Sequence, residues 1–195
     1  MKLLLPLAAL VALGLFAISL YNALITARNA YRNAFAQIDV QLNRRYDLIP
    51  NLVEAVKGYL QHERETLQAV MAARQQAQSG LHQAKTRPED PVARAALEQG
   101  EQRLGSALGR LFAVSEAYPE LKANETVMQL MEELSSTENR LAYARQAHND
   151  AVMDYNNRCE TFPGSLLARR FGFRLAQPLA LPDADARQAP RISLS

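Results

Sequence analysis

The chain has 195 residues, 22 basic against 20 acidic side chains and one cysteine, Cys159. Near-balance of charge gives no support to a nucleic-acid partner, which calls for a basic stripe or domain, and a lone cysteine excludes an internal disulfide framework. After its first apolar segment the chain is long enough to bury one modest core.

Met1 and Lys2 precede an apolar run from Leu3 to Leu20, followed by Tyr21-Asn22 and Ala23-Leu24-Ile25. A bilayer core takes about 17–25 such residues as a helix, so residues 1–25 are predicted to be a transmembrane anchor. A cleavable leader is the alternative, because one positive charge, an apolar stretch and Ala17-Ile18-Ser19 loosely fit that plan. Two features favour retention. The run exceeds the ~7–15 residues of a leader core, and helical periodicity continues out of it without a break before Pro50. Lys2 and the terminal amine stand against Arg28 and Arg32, with Arg44 and Arg45 at the edge of the counted window. That balance leans toward a cell-membrane protein crossing once, with the bulk of the chain cytoplasmic.

Residues 26–164 are predicted to form an all-α bundle of long antiparallel helices. Leu24, Tyr31, Phe35, Ile38, Leu42 and Ile49 recur at alternating spacings of three and four, with Arg28 and Arg45 in the remaining seam positions. The stripe resumes as Val53, Val56, Leu60, Leu67 and Val70. Pro50 removes one backbone bond and crowds the carbonyl of Tyr46. Either the helix kinks there and continues, or it ends and Asp47 with Asn51 turn the chain. Ser79-Gly80 is expected to stop the second helix, with a loop from Leu81 to Glu89. Asp90-Pro91 then reads as an N-cap and a proline at the first helical position.

Leu97, Leu104, Leu108, Leu111 and Tyr118 carry a third helix to Pro119, and Asn124 caps a fourth. The fourth reads Val127, Leu130, Leu134, Thr137, Leu141, Ala144, His148, Ala151, Tyr155, a heptad-like seam ended by Thr161-Phe162-Pro163-Gly164. Pieces of roughly 23, 30, 27 and 34 residues suit a four-helix up-and-down bundle. A three-helix layout with one kinked, very long first helix is the competitor. Residues 165–195 hold five Arg and two Asp, or +3, leaving −1 for the rest. This basic, Pro- and Ala-containing tail is expected to be disordered, with contact to anionic lipid as the alternative.

Residues for chemistry are sparse. His62, His82 and His148 lie far apart, and His62-Glu63-Arg64-Glu65-Thr66 lacks the second histidine of a zinc-protease helix. His148, on an apolar seam, is expected to pack or to make an interhelical hydrogen bond. The glycines at 100, 105 and 109 read either as close approach of a neighbouring helix or as tolerated weakness. The densest polar stretch runs from Gln37 to Asp47. Arg44 with Asp47, and Gln41 with Arg45, are spaced to pair along one helix flank, and these four residues are the candidate partner surface. No catalytic residue, cofactor or metal ligand is predicted.

The stretch Arg28-Asn29 through Asp47-Leu48-Ile49-Pro50-Asn51-Leu52-Val53-Glu54, then Val56-Lys57-Gly58-Tyr59 and His62-Glu63 to Ala73-Arg74, resembles the signature of the LemA family. Ala117-Tyr118-Pro119-Glu120-Leu121-Lys122-Ala123-Asn124, Ser136-Thr137-Glu138-Asn139-Arg140-Leu141-Ala142 and Asn149 to Pro163 with Tyr155-Asn156 extend the likeness to about Phe173. The resemblance implies one amino-terminal transmembrane helix, a bundle of long helices, and a place among membrane proteins linked with envelope stress and membrane-protein quality control. It supplies no established reaction. His148, where the family commonly has an aromatic, and the Pro- and Ala-rich end depart from the pattern.

A non-enzymatic, membrane-anchored scaffold or adaptor is therefore expected, with a protein partner such as a membrane protease, or with further copies of itself. A self-assembling membrane-shaping protein is the first alternative. An enzyme using interior carboxylates such as Glu54 and Glu138 is the second, although the Glu-x-x-His motif of bundle metal sites is missing.

Overall fold

A computed structural model describes residues 4–180. Six helices, and no strand among the described residues, follow in order: α1 (Leu4–Lys57), α2 (Arg64–Thr86), α3 (Pro91–Ser115), α4 (Pro119–Lys122), α5 (Glu125–Glu160) and α6 (Gly164–Phe171). The all-α prediction holds. Of the two outcomes open at Pro50, the helix continues, and α1 carries the proline in its interior. The chain reverses at Gly58–Glu63 instead, where the Tyr59 and Leu60 amides both donate to the Val56 carbonyl and Glu63 N–H donates to Leu60.

The stop expected at Ser79-Gly80 is corrected. Gly80 lies inside α2, which continues to Thr86. A Cβ at Gly80 would stand 2.7 Å from the carbonyl oxygen of Ala96, and one at Gly100 would stand 2.8 Å from the Cα of Ala77. The two glycines therefore serve reciprocal close approach of α2 and α3. Gly105 and Gly109 have nothing within 4 Å of an added Cβ, so they are the tolerated kind.

Two starts are placed as expected. The Asp90 carboxylate accepts from Val92 N–H at 2.9 Å with Pro91 opening α3, and Asn124 Oδ1 accepts from Val127 N–H at 3.1 Å. Helix α3 ends at Ser115, whose hydroxyl donates to the Phe112 carbonyl at 2.7 Å, and Pro119 opens the short α4 rather than closing α3.

The chain divides into two compact units, the first joining residues up to Ala36 with Gln146–Pro178 and the second comprising Gln37–Arg145 with the residues from Leu179. In the second, Asp39 meets Lys85, Gln76 meets Arg103, and Arg44 meets Glu133. Successive long helices thus alternate in direction, α1 from Gln37 onward, α2, α3 and the first half of α5, as in an up-and-down four-helix bundle. The core is built from the predicted stripes, with Ile38, Leu42, Ile49, Leu97, Leu104 and Leu134 buried.

In the first unit Leu24, Ala27 and Tyr31 of α1 pack on Val152, Tyr155 and Cys159 of α5 and Ala168 of α6. His148 is 2% exposed, lies edge-on to the Tyr31 and Phe35 rings, and places Nδ1 3.1 Å from the Tyr31 carbonyl oxygen. That is the packing and interhelical role expected of it. N-terminal to this core, α1 is long and apolar enough to cross a membrane, with mean hydropathy 2.1 in its most apolar window and 6% of that window buried.

The expectation of a disordered tail from residue 165 is corrected for its first part. Helix α6 docks through Ala168 and Leu167, and Gly172 ends it with φ +71°, a conformation that suits glycine. Beyond it, Asn156 holds both backbone groups of Ala176, donating from Nδ2 at 2.8 Å and accepting on Oδ1 at 2.9 Å, while Tyr155 OH donates to the Arg174 carbonyl at 2.8 Å. The remainder of the predicted tail, 181–195, lies outside the described residues.

Candidate functional site

The polar stretch preceding Pro50 divides into an inner and an outer face. Arg45 follows Leu42 by three residues and precedes Ile49 by four, so the helical repeat turns it inward with them. It is 5% exposed. Its guanidinium bridges two carboxylates, Nη1 to Glu101 Oε2 and Nη2 to Glu138 Oε1, each at 2.6 Å. Glu101, 2% exposed, also accepts from the Tyr46 hydroxyl at 2.5 Å. Three helices thus converge on one ionic cluster.

Pro50 explains the cluster's fifth member. Without an amide hydrogen at position 50, the Tyr46 carbonyl loses its normal intrahelical donor. Arg74 of α2 fills the gap, donating from Nε to that carbonyl at 2.5 Å. Helix α1 can carry a proline in its interior because a neighbouring helix supplies the missing hydrogen bond.

Burial raises the Glu101 carboxyl above the ordinary carboxylate range, and the Arg45 charge and Tyr46 hydrogen bond pull it back. Burial, reinforced by the adjacent Glu101 charge, raises the Tyr46 hydroxyl strongly, so it stays a neutral donor. The Arg45 guanidinium occupies the place between the two carboxylates that a metal would have to take. Among the described residues, no three His, Cys, Asp or Glu side chains gather to hold a metal. The arrangement ties α1, α3 and α5 through matched charges, and an isolated buried charge would be far costlier than such a pair.

Two corrections to the candidate surface follow. Arg45 is interior and cannot meet a partner directly. The expected Gln41–Arg45 pairing is not made, and Gln41 Oε1 and Arg45 Nε are both buried with no hydrogen-bond partner. Arg44 and Asp47 are exposed, but Arg44 faces Glu133 at 3.7 Å rather than Asp47. Both belong to an open depression of about 530 Å³ lined by Asp39, Val40, Asn43, Arg44, Asp47, Leu48 and Asn51. Of the two carboxylates considered for an enzyme, Glu54 is exposed and pairs with Lys57 at 3.4 Å, whereas Glu138 is committed to Arg45.

Tyr46, Arg74 and Glu101 escaped the sequence reading. Glu101 carried a usable signal, because it stands four residues after Leu97 and three before Leu104, on the apolar seam of α3.

Known proteins place these features in a wider group. The chain is 26% identical over 175 residues to magnetosome protein MamQ 2 of Paramagnetospirillum magneticum, covering 80% of this chain and 63% of that protein. It is 28% identical over 172 residues to magnetosome protein MamQ of Magnetospirillum gryphiswaldense, covering 79% and 62%. It is 25% identical over 149 residues to protein LemA of Metamycoplasma hominis, covering 76% and 64%. The chain therefore spans less than two thirds of the length of these relatives. The LemA family matches residues 34–194, a range that takes in the whole Arg45–Tyr46–Arg74–Glu101–Glu138 cluster and the proline it accommodates, and the chain belongs to the LemA family.

Proposed function

We propose that this protein is a membrane-anchored helical scaffold that presents the outer face of its bundle to a protein partner. The carrying observation is the continuity of α1: one helix leads from an exposed apolar run, through the buried Leu24 and Tyr31, to the polar face holding Arg44 and Asp47. An apolar run of that length and exposure is at home in a bilayer. The inner charges are spent on one another and Asp39 on Lys85, which leaves Val40, Arg44 and Asp47 as the exposed apolar and polar groups offered outward. A membrane protein of the quality-control class, such as a protease, is the proposed partner. The chain crosses the membrane once with the bundle on the cytoplasmic side, following the lean of Arg28, Arg32, Arg44 and Arg45 over Lys2 and the terminal amine.

Crosslinking mass spectrometry on intact membranes, with protease accessibility from each side, tests the reading. A defined membrane-protein partner whose crosslinks fall on Asp39–Asn51 and weaken in Arg44→Ala/Asp47→Ala supports it. Unchanged crosslinks in that variant remove this face. Crosslinks only between copies of the chain support the self-assembling alternative.

A further inference from the structure

Helix α6 and its flanks carry an arrangement that the scaffold reading does not use. From Thr161 to Ala180 the sequence has no acidic residue, while Arg169, Arg170 and Arg174 are all present and all exposed. Gly164, Leu167 and Ala168 turn one face of α6 into the first unit's core. Leu166, Arg169 and Arg170, at spacings of three and four, share the opposite face. Large apolar side chains stand out around them, with Phe162 80%, Leu166 61%, Phe171 56% and Leu175 53% exposed.

The position of this cluster on the chain's own anchor decides what it faces. The Phe171 and Phe173 rings pack edge-on to Tyr21, with centroids 5.0 and 5.7 Å away. Tyr21 is the residue immediately after the apolar run Leu3–Leu20. The Arg28 guanidinium lies 5.3 Å from the centroid of Phe173. The three aromatic rings thus gather directly after the apolar run, and with that run in a bilayer this is the interfacial level at which amphipathic rings are favoured. Exposed apolar side chains interleaved with arginines at that level match the two layers met there, acyl chains below and phosphate headgroups above. Arginine stems reach along the apolar layer and place their charges among the phosphates.

We propose that α6 is a second membrane contact, an interfacial helix seated on anionic lipid headgroups beside the exit of the α1 anchor. Phe162, Leu166, Phe171 and Leu175 enter the upper acyl region, and Arg169, Arg170 and Arg174 bind lipid phosphates. This rests on the reading of α1 as a membrane anchor, and the test separates the two.

Full-length protein in a Cys159→Ala background, carrying a spin label at Phe16→Cys, at Leu166→Cys or at the exposed control Tyr143→Cys, is reconstituted into phosphatidylcholine vesicles with and without phosphatidylglycerol. Collisional accessibility to oxygen and to a water-soluble nickel chelate reads the depth of each label. The expected result is position 16 deep in both vesicles, position 143 in water, and position 166 at the interface, several-fold less accessible to nickel with phosphatidylglycerol than without. Arg169→Gln/Arg170→Gln abolishes that dependence on anionic lipid. Position 166 as open to nickel as position 143, with position 16 still deep, overturns the interfacial helix and leaves the anchor standing. Positions 16 and 166 both in water overturn the anchor and the proposal together.

Discussion

The Arg74 guanidinium donates from Nε to the Tyr46 carbonyl, the acceptor left vacant by Pro50 one turn further along α1. A side chain on α2 thereby completes the backbone ladder of α1. Arg74→Met removes this side-chain donor and is expected to cost about 2 kcal/mol, within the range for hydrogen bonds to charged groups. In a Pro50→Ala background the new amide at position 50 serves Tyr46, and the same substitution costs well under half as much. Urea unfolding of the four members of this cycle, followed by circular dichroism in detergent, measures the coupling. Equal costs in both backgrounds would sink the account.

Arg45 neutralises two carboxylates at once. Arg45→Met leaves Glu101 buried beside Glu138 and is expected to lower stability by about 3–5 kcal/mol at neutral pH. The loss has a sign in pH. Burial already holds the folded-state Glu101 carboxyl above its unfolded value, so proton uptake on folding stabilises most below the ordinary carboxylate range and this contribution fades as pH rises through the raised value. Without Arg45 the folded value climbs further, and the penalty is larger at about pH 8 than at about pH 5. Arg45→Met/Glu101→Gln, having no carboxylate left to protonate at position 101, loses most of that pH dependence. Unfolding midpoints of both variants at the two pH values check this.

The four glycines of α2 and α3 are expected to split by sign. Gly80→Ala and Gly100→Ala push a methyl into backbone atoms of the facing helix and cost about 1–3 kcal/mol, the usual range for overpacking. Gly105→Ala and Gly109→Ala meet open space and stabilise by about 0.5–1 kcal/mol through helix propensity alone. Thermal midpoints falling for the first pair and rising for the second are the expected pattern.

Asn156 is expected to hold the segment after α6 in place through its paired bonds to Ala176. Asn156→Ala removes both, and tryptic cleavage after Arg174 is expected to accelerate about tenfold, the factor matching a local loss of ~1.4 kcal/mol. Cleavage kinetics that do not change would show that Tyr155 alone secures the segment.

The periodic stripes were enough to read an all-α bundle, and seam positions predicted burial for Ile38, Leu42, Leu134 and His148 alike. What the sequence obscured were places where a distant residue overrides a local rule. Pro50 looks like a break because its remedy, Arg74, lies on another helix. Gly80 looks like a stop because nothing local reveals that Ala96 lies against it. Arg45 looks like surface because charge usually is, although its seam position beside Leu42 pointed inward. Its counter-charge Glu101, on α3, was hidden by the same assumption. The outward residues Arg44 and Asp47 were legible as exposed, but the neighbour of Arg44 across the bundle, Glu133, required the fold.

Because Gly80 and Gly100 each seat their helix against the other's bare backbone, α2 and α3 have no clearance in which to slip or roll. Sliding by one residue would bring a side chain where only hydrogen now fits. The hairpin they form consequently travels as a single rigid beam. A rearrangement of this unit that keeps both contacts bends at the ends of the hairpin, in the Gly58–Glu63 reversal or the Glu116–Asn124 corner.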